Sequence, residues 1–494
     1  MMGYALFLVP MVVAFWILAR RHGIRQALLD LIGFNLFFAF DFAALLPGEI
    51  NLQLIHVLLV VYLGYEVACI ARHGRIRVRL RYLVVLGLAL LIVGWVALAA
   101  IDNRLATWGP VRVINYVVRI YLLSVLFLFV GAALARPERL RRFLLAFCLG
   151  GMAVGAIAVV QTASAGRLLT GDTTPRYLGV FQPEPLASFQ ARMEYYAATD
   201  YINQVRTLNL AGVTLYRAYG SFTGAIVSLC VGALIALCLL TSPDPMPRWM
   251  PAAFFLMAVG VGAAFVRTLL ATFVLLAAFV LVLRFRVVLT SRRTLSWLLP
   301  IAGIMLIVGL FLPPVQAAIA VTYDGFFGAR AGREFASLNG RVALWAIVIE
   351  QIRRNPLFGT SHSITMLDVS WGSNANPEFG LSTHNSFLEV AYHAGVLPAL
   401  ILIWLYAFCL YRAARLILNQ HYTRGERRLF LALLVSVMAL TLVNQTGDWM
   451  NAGQVAALFW IICGCLATYP RPDLSQRIPQ WLPPQSSLAV IHRP

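Results

Sequence analysis

The chain contains no lysine; all 39 of its basic residues are arginine. Charge of either sign is scarce, at 12% of 494 residues, where a soluble domain carries about a quarter. Hydrophobic residues make up 61% and mean hydropathy is +0.80. That balance excludes a soluble globular protein and implies a polytopic membrane protein. Cysteine is absent from the polar segments: Cys69, Cys148, Cys230, Cys238, Cys409, Cys463 and Cys465 all fall in apolar runs. Neither a disulfide framework nor a thiolate metal site is expected in those segments, and Cys463 and Cys465 read as small apolar helix residues. There is no Asp-x-Asp, no glycine-rich phosphate loop, no His-Glu-x-x-His and no cluster of carboxylates between the spans. Hard divalent cations need such oxygen ligands, so no metal and no cofactor is expected.

The net charge of +19 invites a polyanion as partner, but its distribution excludes nucleic acid. Arginines gather in alternate short loops: Arg20, Arg21 and Arg25; Arg72 to Arg81; Arg136 to Arg142; Arg284 to Arg293; Arg412 to Arg428. The loops between, such as 47–51 and 444–452, have none. This alternation is the positive-inside pattern. It places the N-terminus and the segments 166–217 and 314–395 outside, and the C-terminal tail in the cytoplasm. Apolar runs of spanning length recur at 3–19, 28–46, 52–71, 82–101, 114–135, 143–165, 218–241, 249–266, 268–285, 296–313, 396–417, 429–445 and 453–469. The expected fold is an all-α polytopic membrane protein of about 12–14 transmembrane helices. The first run has no small-residue cleavage site and reads as a retained helix.

The expected organisation is N-terminal spans over 1–165, a first outer loop over 166–217, central spans over 218–313, a second outer loop over 314–395, C-terminal spans over 396–469 and a tail over 470–494. The first loop reads as irregular through Pro175, Pro183 and Pro185, then as an amphipathic interfacial helix near 187–206. In the second loop, 341–353 reads as a helix too short to span, ended by Pro356, and the segment holding His384 as a helix running on toward Val396. Inside the spans, Asp41 and Arg119 can pair, while Asp30 and Glu66 lie near span ends where snorkelling accounts for them.

Arg217, Arg267 and Arg341 stand on the side where the positive-inside bias disfavours arginine. A planar fork of donors, charged at any working pH, suits phosphate oxygens, so these three are candidate diphosphate ligands. A snorkelling anchor or an ion pair is the alternative for each alone. His384 is the candidate general base, and Asn385 a candidate to orient an acceptor or the ring. His362 and His393 are competitors for the role of His384.

Gly340-Arg341-Val342-Ala343-Leu344-Trp345, Asn355-Pro356-Leu357-Phe358-Gly359, and Thr383-His384-Asn385-Ser386-Phe387-Leu388 followed by Gly395 form a set. With it the chain resembles the O-antigen ligase/polymerase (WaaL/Wzy-type) superfamily, over roughly 205–470. The resemblance implies a GT-C-like fold with short amphipathic helices in the two outer loops, in the bacterial inner membrane with the active site facing the periplasm. It implies a metal-independent, inverting glycosyltransferase using an undecaprenyl-diphosphate-linked glycan. Arg217 and Arg267 match the arginines that hold the diphosphate, and His384 the histidine that activates the acceptor hydroxyl. The acceptor is a glycan, as in a polymerase of O-antigen, capsule or exopolysaccharide, or lipid A–core, as in a ligase. The mixed aromatic segment 166–206 favours the polymerase. Expected partners are the lipid-linked oligosaccharide, the acceptor and the bilayer, with a chain-length regulator and a flippase beside them. Two rival classes are a flippase or other transporter, which predicts charges along a central path, and a scaffold without catalysis.

Overall fold

A computed structural model describes residues 2–38, 54–73, 79–163, 207–210, 213–216, 223–242, 244–264, 266–289, 338–360, 383, 385–445 and 453–470. Its elements run α1 (Met2–His22), α2 (Ile24–Asn35), α3 (Leu54–His73), α4 (Leu80–Asn115), a π-helical stretch (Tyr116–Leu122), α5 (Leu123–Ala133) and α6 (Pro137–Ala163). The strands β1 (Thr207–Leu210) and β2 (Val213–Tyr216) follow, then α7 (Thr223–Leu240), α8 (Met250–Ala263) and α9 (Arg267–Leu289). The chain continues with α10 (Leu338–Arg354), α11 (Ser386–Ala394), α12 (Val396–Leu418), α13 (Arg424–Asn444) and α14 (Gly453–Thr468).

Helices prevail because a spanning chain has no water to satisfy its amides and must bond them internally. Among the described residues, five helical segments are long and apolar enough to cross a membrane: Leu54–Arg72, Leu80–Asp102, Tyr116–Ala133, Pro137–Val160 and Val396–Leu418. Four shorter apolar helices join them, Ile226–Leu240, Met250–Ala263, Thr268–Arg284 and Gly453–Thr468. The chain is therefore an all-α polytopic membrane protein, with one small hairpin among the described residues. The expected run 296–313 and the expected helix near 187–206 lie outside the described residues.

α12 shows how the pattern becomes packing. Leu402, Leu405, Tyr406, Cys409 and Ala413 are buried on one face, while Leu400, Ile403 and Trp404 are exposed on the other, where lipid replaces water. Buried α14 packs on α5, where Gly131 lies against the carbonyl of Ile461 and Gly464 against that of Leu128. Any side chain at either site would strike the opposite backbone, so small residues set the approach of the two helices. Tyr82 and Phe129 meet edge-to-face at 6.1 Å, so α4 and α5 are antiparallel although the helical residues between them are continuous. Arg119 lies in the π-helical stretch, and Asp41, its expected partner, lies outside the described residues.

The bundle has an arginine-rich end and an opposite end. At the arginine-rich end, Glu66 is held by Arg25, whose Nη2 donates at 2.9 Å, so an ion pair rather than snorkelling accounts for it. Buried Asp30 accepts from Gln26 Nε2 at 2.7 Å. There too the last carbonyls of α14 are capped by cations, as its dipole favours. Buried Arg412 donates to Leu466 O at 3.3 Å and Tyr469 O at 3.2 Å, and Arg79 to Tyr469 O at 2.8 Å. An Arg412→Leu substitution is expected to destabilise by about 1–3 kcal/mol, read as a lower thermal midpoint of the detergent-purified protein.

The hairpin was not anticipated. Thr207 to Leu210 pairs antiparallel with Val213 to Tyr216, Leu210 opposite Val213, which leaves a two-residue connection, Ala211-Gly212. A glycine in a two-residue link between short β-prone runs is the signal that marks it. β2 contacts α6, and it ends one residue before Arg217.

Candidate active site

At the end opposite the arginines, α10 packs against α11. Leu344, Val348 and Ile352, spaced four apart, are buried against the core, while Glu350, Arg353 and Arg354 face outward. α10 ends before Asn355-Pro356, as expected from Pro356.

The chain leaving α10 docks into the α11–α12 junction. Val396 N donates to Pro356 O at 2.8 Å and Thr360 N to Tyr392 O at 2.7 Å. Two glycines permit this approach: Gly359 has φ +68° and Gly395 φ +87°, backbone that residues with a Cβ rarely adopt. A Cβ on Gly395 would strike Leu357 O, and one on Gly359 would strike Tyr392 O. From α4, Trp95 Nε1 donates to Leu357 O at 2.9 Å, and its ring stacks on Phe358 with centroids 5.4 Å apart. The motif Asn355 to Gly359 and the glycine at 395 are thus two halves of one joint.

That joint supports a tethered corner at Thr383 and Asn385. Trp345 of α10 donates its indole N–H to Thr383 O at 2.8 Å, and Thr383 N donates to Glu389 Oε2 at 3.1 Å. Thr383 Oγ1 donates to Asn385 O at 2.9 Å. Asn385 is the N-cap of α11: its Oδ1 accepts from Phe387 N at 3.0 Å and Leu388 N at 3.2 Å. Asn385 Nδ2 donates to Gln445 Oε1 at 3.3 Å. Ser386 Oγ donates to Asn444 Oδ1 at 2.9 Å, and Asn444 Nδ2 to Tyr406 OH at 2.7 Å. The buried Thr383, Asn385, Ser386 and Asn444 each gain a partner around α11, α12 and the end of α13, as burial demands.

Glu389 also pairs with His393 Nε2 at 2.9 Å. Burial alone pushes the Glu389 carboxyl up. Hydrogen bonding and charge from His393, with the bond from Thr383, outweigh it, so the group lies below the ordinary carboxylate value. A depressed folded value contributes stability that is fully present above the unfolded pKa and is lost as pH falls through the folded one. The wild-type thermal midpoint is therefore expected to fall on acidification below the carboxylate range, and that of Glu389→Gln to fall less.

Of the residues singled out in the sequence, Asn385 is a helix cap, and the expected helix through 384 starts instead at Ser386. His384 and Arg217 lie outside the described residues. Arg267 is the first residue of α9 and Arg341 stands in α10, one turn before Trp345; their side chains lie outside the described residues. α9 runs from Arg267 toward Arg284 and packs on α13, which runs from Arg424 to Asn444. The start of α9 and the corner therefore share one end of the bundle. Glu389, Asn444 and Gln445 were not singled out, and Trp345 only as the last letter of a motif. An acid and a histidine at i,i+4 and a polar pair closing an apolar span are the signals that reveal them.

Residues 252–403, from α8 into α12, match the Wzy_C family model, described as O-antigen ligase. Among curated proteins none matches the chain. The matched stretch contains α9, α10, α11 and the corner between them. The stretch is thus similar to an O-antigen ligase domain over 252–403, the part of the chain that holds the corner.

Proposed function

We propose that the protein is a metal-independent, inverting glycosyltransferase acting on an undecaprenyl-diphosphate-linked glycan at the periplasmic face of the bacterial inner membrane. The observation that carries the reading is the corner: it lies inside the O-antigen ligase match, away from the arginine-rich end, with both neighbours of position 384 tethered. In this reading His384 takes the proton of the acceptor hydroxyl as its oxygen attacks the anomeric carbon. The bond to the diphosphate breaks on the opposite face, and inversion follows. Arg217, Arg267 and Arg341 face the charge that develops on the leaving diphosphate. Fixed donors of this kind cost about 10²–10³-fold in rate when one is removed.

The acceptor we favour is a second lipid-linked glycan, so that repeat units are joined into O-antigen, capsule or exopolysaccharide. The mixed aromatic sequence of 166–206 supports this as a glycan-binding segment. The second reading, transfer to lipid A–core, is favoured by the description of the matched family as a ligase.

The test is transfer by purified protein from lipid-linked oligosaccharide, with a second lipid-linked glycan or lipid A–core as acceptor. Arg267→Ala is expected to slow transfer about 10²–10³-fold. An unchanged rate removes Arg267 from the site. In a deletion strain, loss of long chains while single units still reach lipid A means polymerase; accumulated full-length lipid-linked chains mean ligase. A protein that moves the lipid across the bilayer without forming a glycosidic bond overturns both.

A further inference from the structure

We propose that Glu389 is a positioning residue for transfer, acting on position 384 through the backbone of Thr383; the inference rests on the reading of His384 as the base. The Glu389 carboxylate is mostly buried, with its side chain 12% exposed, and its two oxygens are divided between two tasks. Oε2 takes the amide of Thr383, and Oε1 takes His393 Nε2. Glu389 is therefore a brace from the first turn of α11 back to the residue preceding position 384. On the other side of that position, Asn385 caps the same helix.

The alternative, an acidic group that merely stabilises α11 through an i,i+4 pair, leaves the bond to Thr383 unexplained. A helix pair needs only His393, and a first-turn acid suits the dipole without any partner. The carboxylate instead fastens the chain outside the helix, at the one residue that Trp345 also fastens from α10. Two tethers from two elements meet at Thr383, one on its N–H and one on its C=O. The group that would move if either failed is the next residue in the chain. A displacement of about 1 Å at a reacting group costs on the order of 10²-fold in rate.

The experiment compares Glu389→Ala, Glu389→Gln and Trp345→Phe with wild type in the purified transfer assay, with kcat and KM for the lipid-linked donor measured separately. Glu389→Ala is expected to lower kcat about 10²-fold with donor KM unchanged. Glu389→Gln keeps an oxygen acceptor for the Thr383 amide and is expected to recover most of the lost rate. Combining Glu389→Ala with Trp345→Phe should cost less than the product of the two single effects, because both act through Thr383. If Glu389→Ala does not accumulate as folded protein, Trp345→Phe and Glu389→Gln carry the test. A lowered kcat at unchanged KM in Trp345→Phe, with transfer kept in Glu389→Gln, supports the proposal. Full kcat in Glu389→Ala or in Trp345→Phe overturns it, as does a Glu389→Gln variant as slow as the alanine one. Wild-type protein that transfers no lipid-linked glycan overturns the underlying reading, whereas an active wild type lost in His384→Ala but indifferent to Glu389→Ala overturns the positioning role alone.

Discussion

Replacing His384 with alanine is expected to lower the transfer rate about 10²–10⁴-fold, the range over which a positioned general base contributes. The neutral imidazole accepts a proton near neutral pH, and no other histidine stands between the tethered residues Thr383 and Asn385. His393, the nearest competitor in sequence, has its Nε2 committed to Glu389 and stands on the last turn of α11. Donor binding should persist in His384→Ala, because the groups proposed to hold the diphosphate are untouched. Single-turnover transfer and donor binding to the same purified variant check both halves. A variant that transfers at the wild-type rate removes the base from position 384.

Gly395→Ala is expected to destabilise the protein by roughly 2–6 kcal/mol, summing a forbidden backbone region with an overpacked contact. The two costs have different origins. At φ +87° and ψ +173° the backbone occupies a region that L side chains avoid, and the added methyl would drive into the carbonyl of Leu357. Relief requires the segment Pro356 to Thr360 to lift from α11 and α12. That in turn breaks the bond from Val396 N to Pro356 O and the seat of Trp95. The thermal midpoint in detergent and transfer activity should fall together. Alanine at Gly359, where the obstacle is Tyr392 O, should act in the same direction on the same joint. A Gly395→Ala protein as stable as wild type would mean that the joint is not as described.

The spans were legible because lipid selects for long apolar runs, and the arginine clusters marked one end of each. The resemblance also quoted Gly359, Asn385 and Gly395, without showing what each does in the fold. Gly359 and Gly395 read as motif letters, yet each is required by a carbonyl from the other's segment, a tertiary fact that no local spacing encodes. Asn385 read as part of a helix through 384, whereas its side chain satisfies two first-turn amides and so starts the helix after itself. Glu66 read as a residue reaching for the interface, because Arg25, its partner, is 41 positions away in sequence. Two partners of the corner, Asn444 and Gln445, were hidden for the same reason: each is an ordinary residue until another helix arrives beside it.

Trp95 belongs to the N-terminal half, outside the matched stretch, yet its indole reaches a backbone oxygen 262 residues later. The two halves are consequently not free modules. Grafting residues 252–403 onto the leading helices of a relative would preserve every motif letter and still leave Leu357 without its donor, unless the new host also presents an indole at that height. Hybrids that exchange the matched stretch should therefore exchange α4 with it.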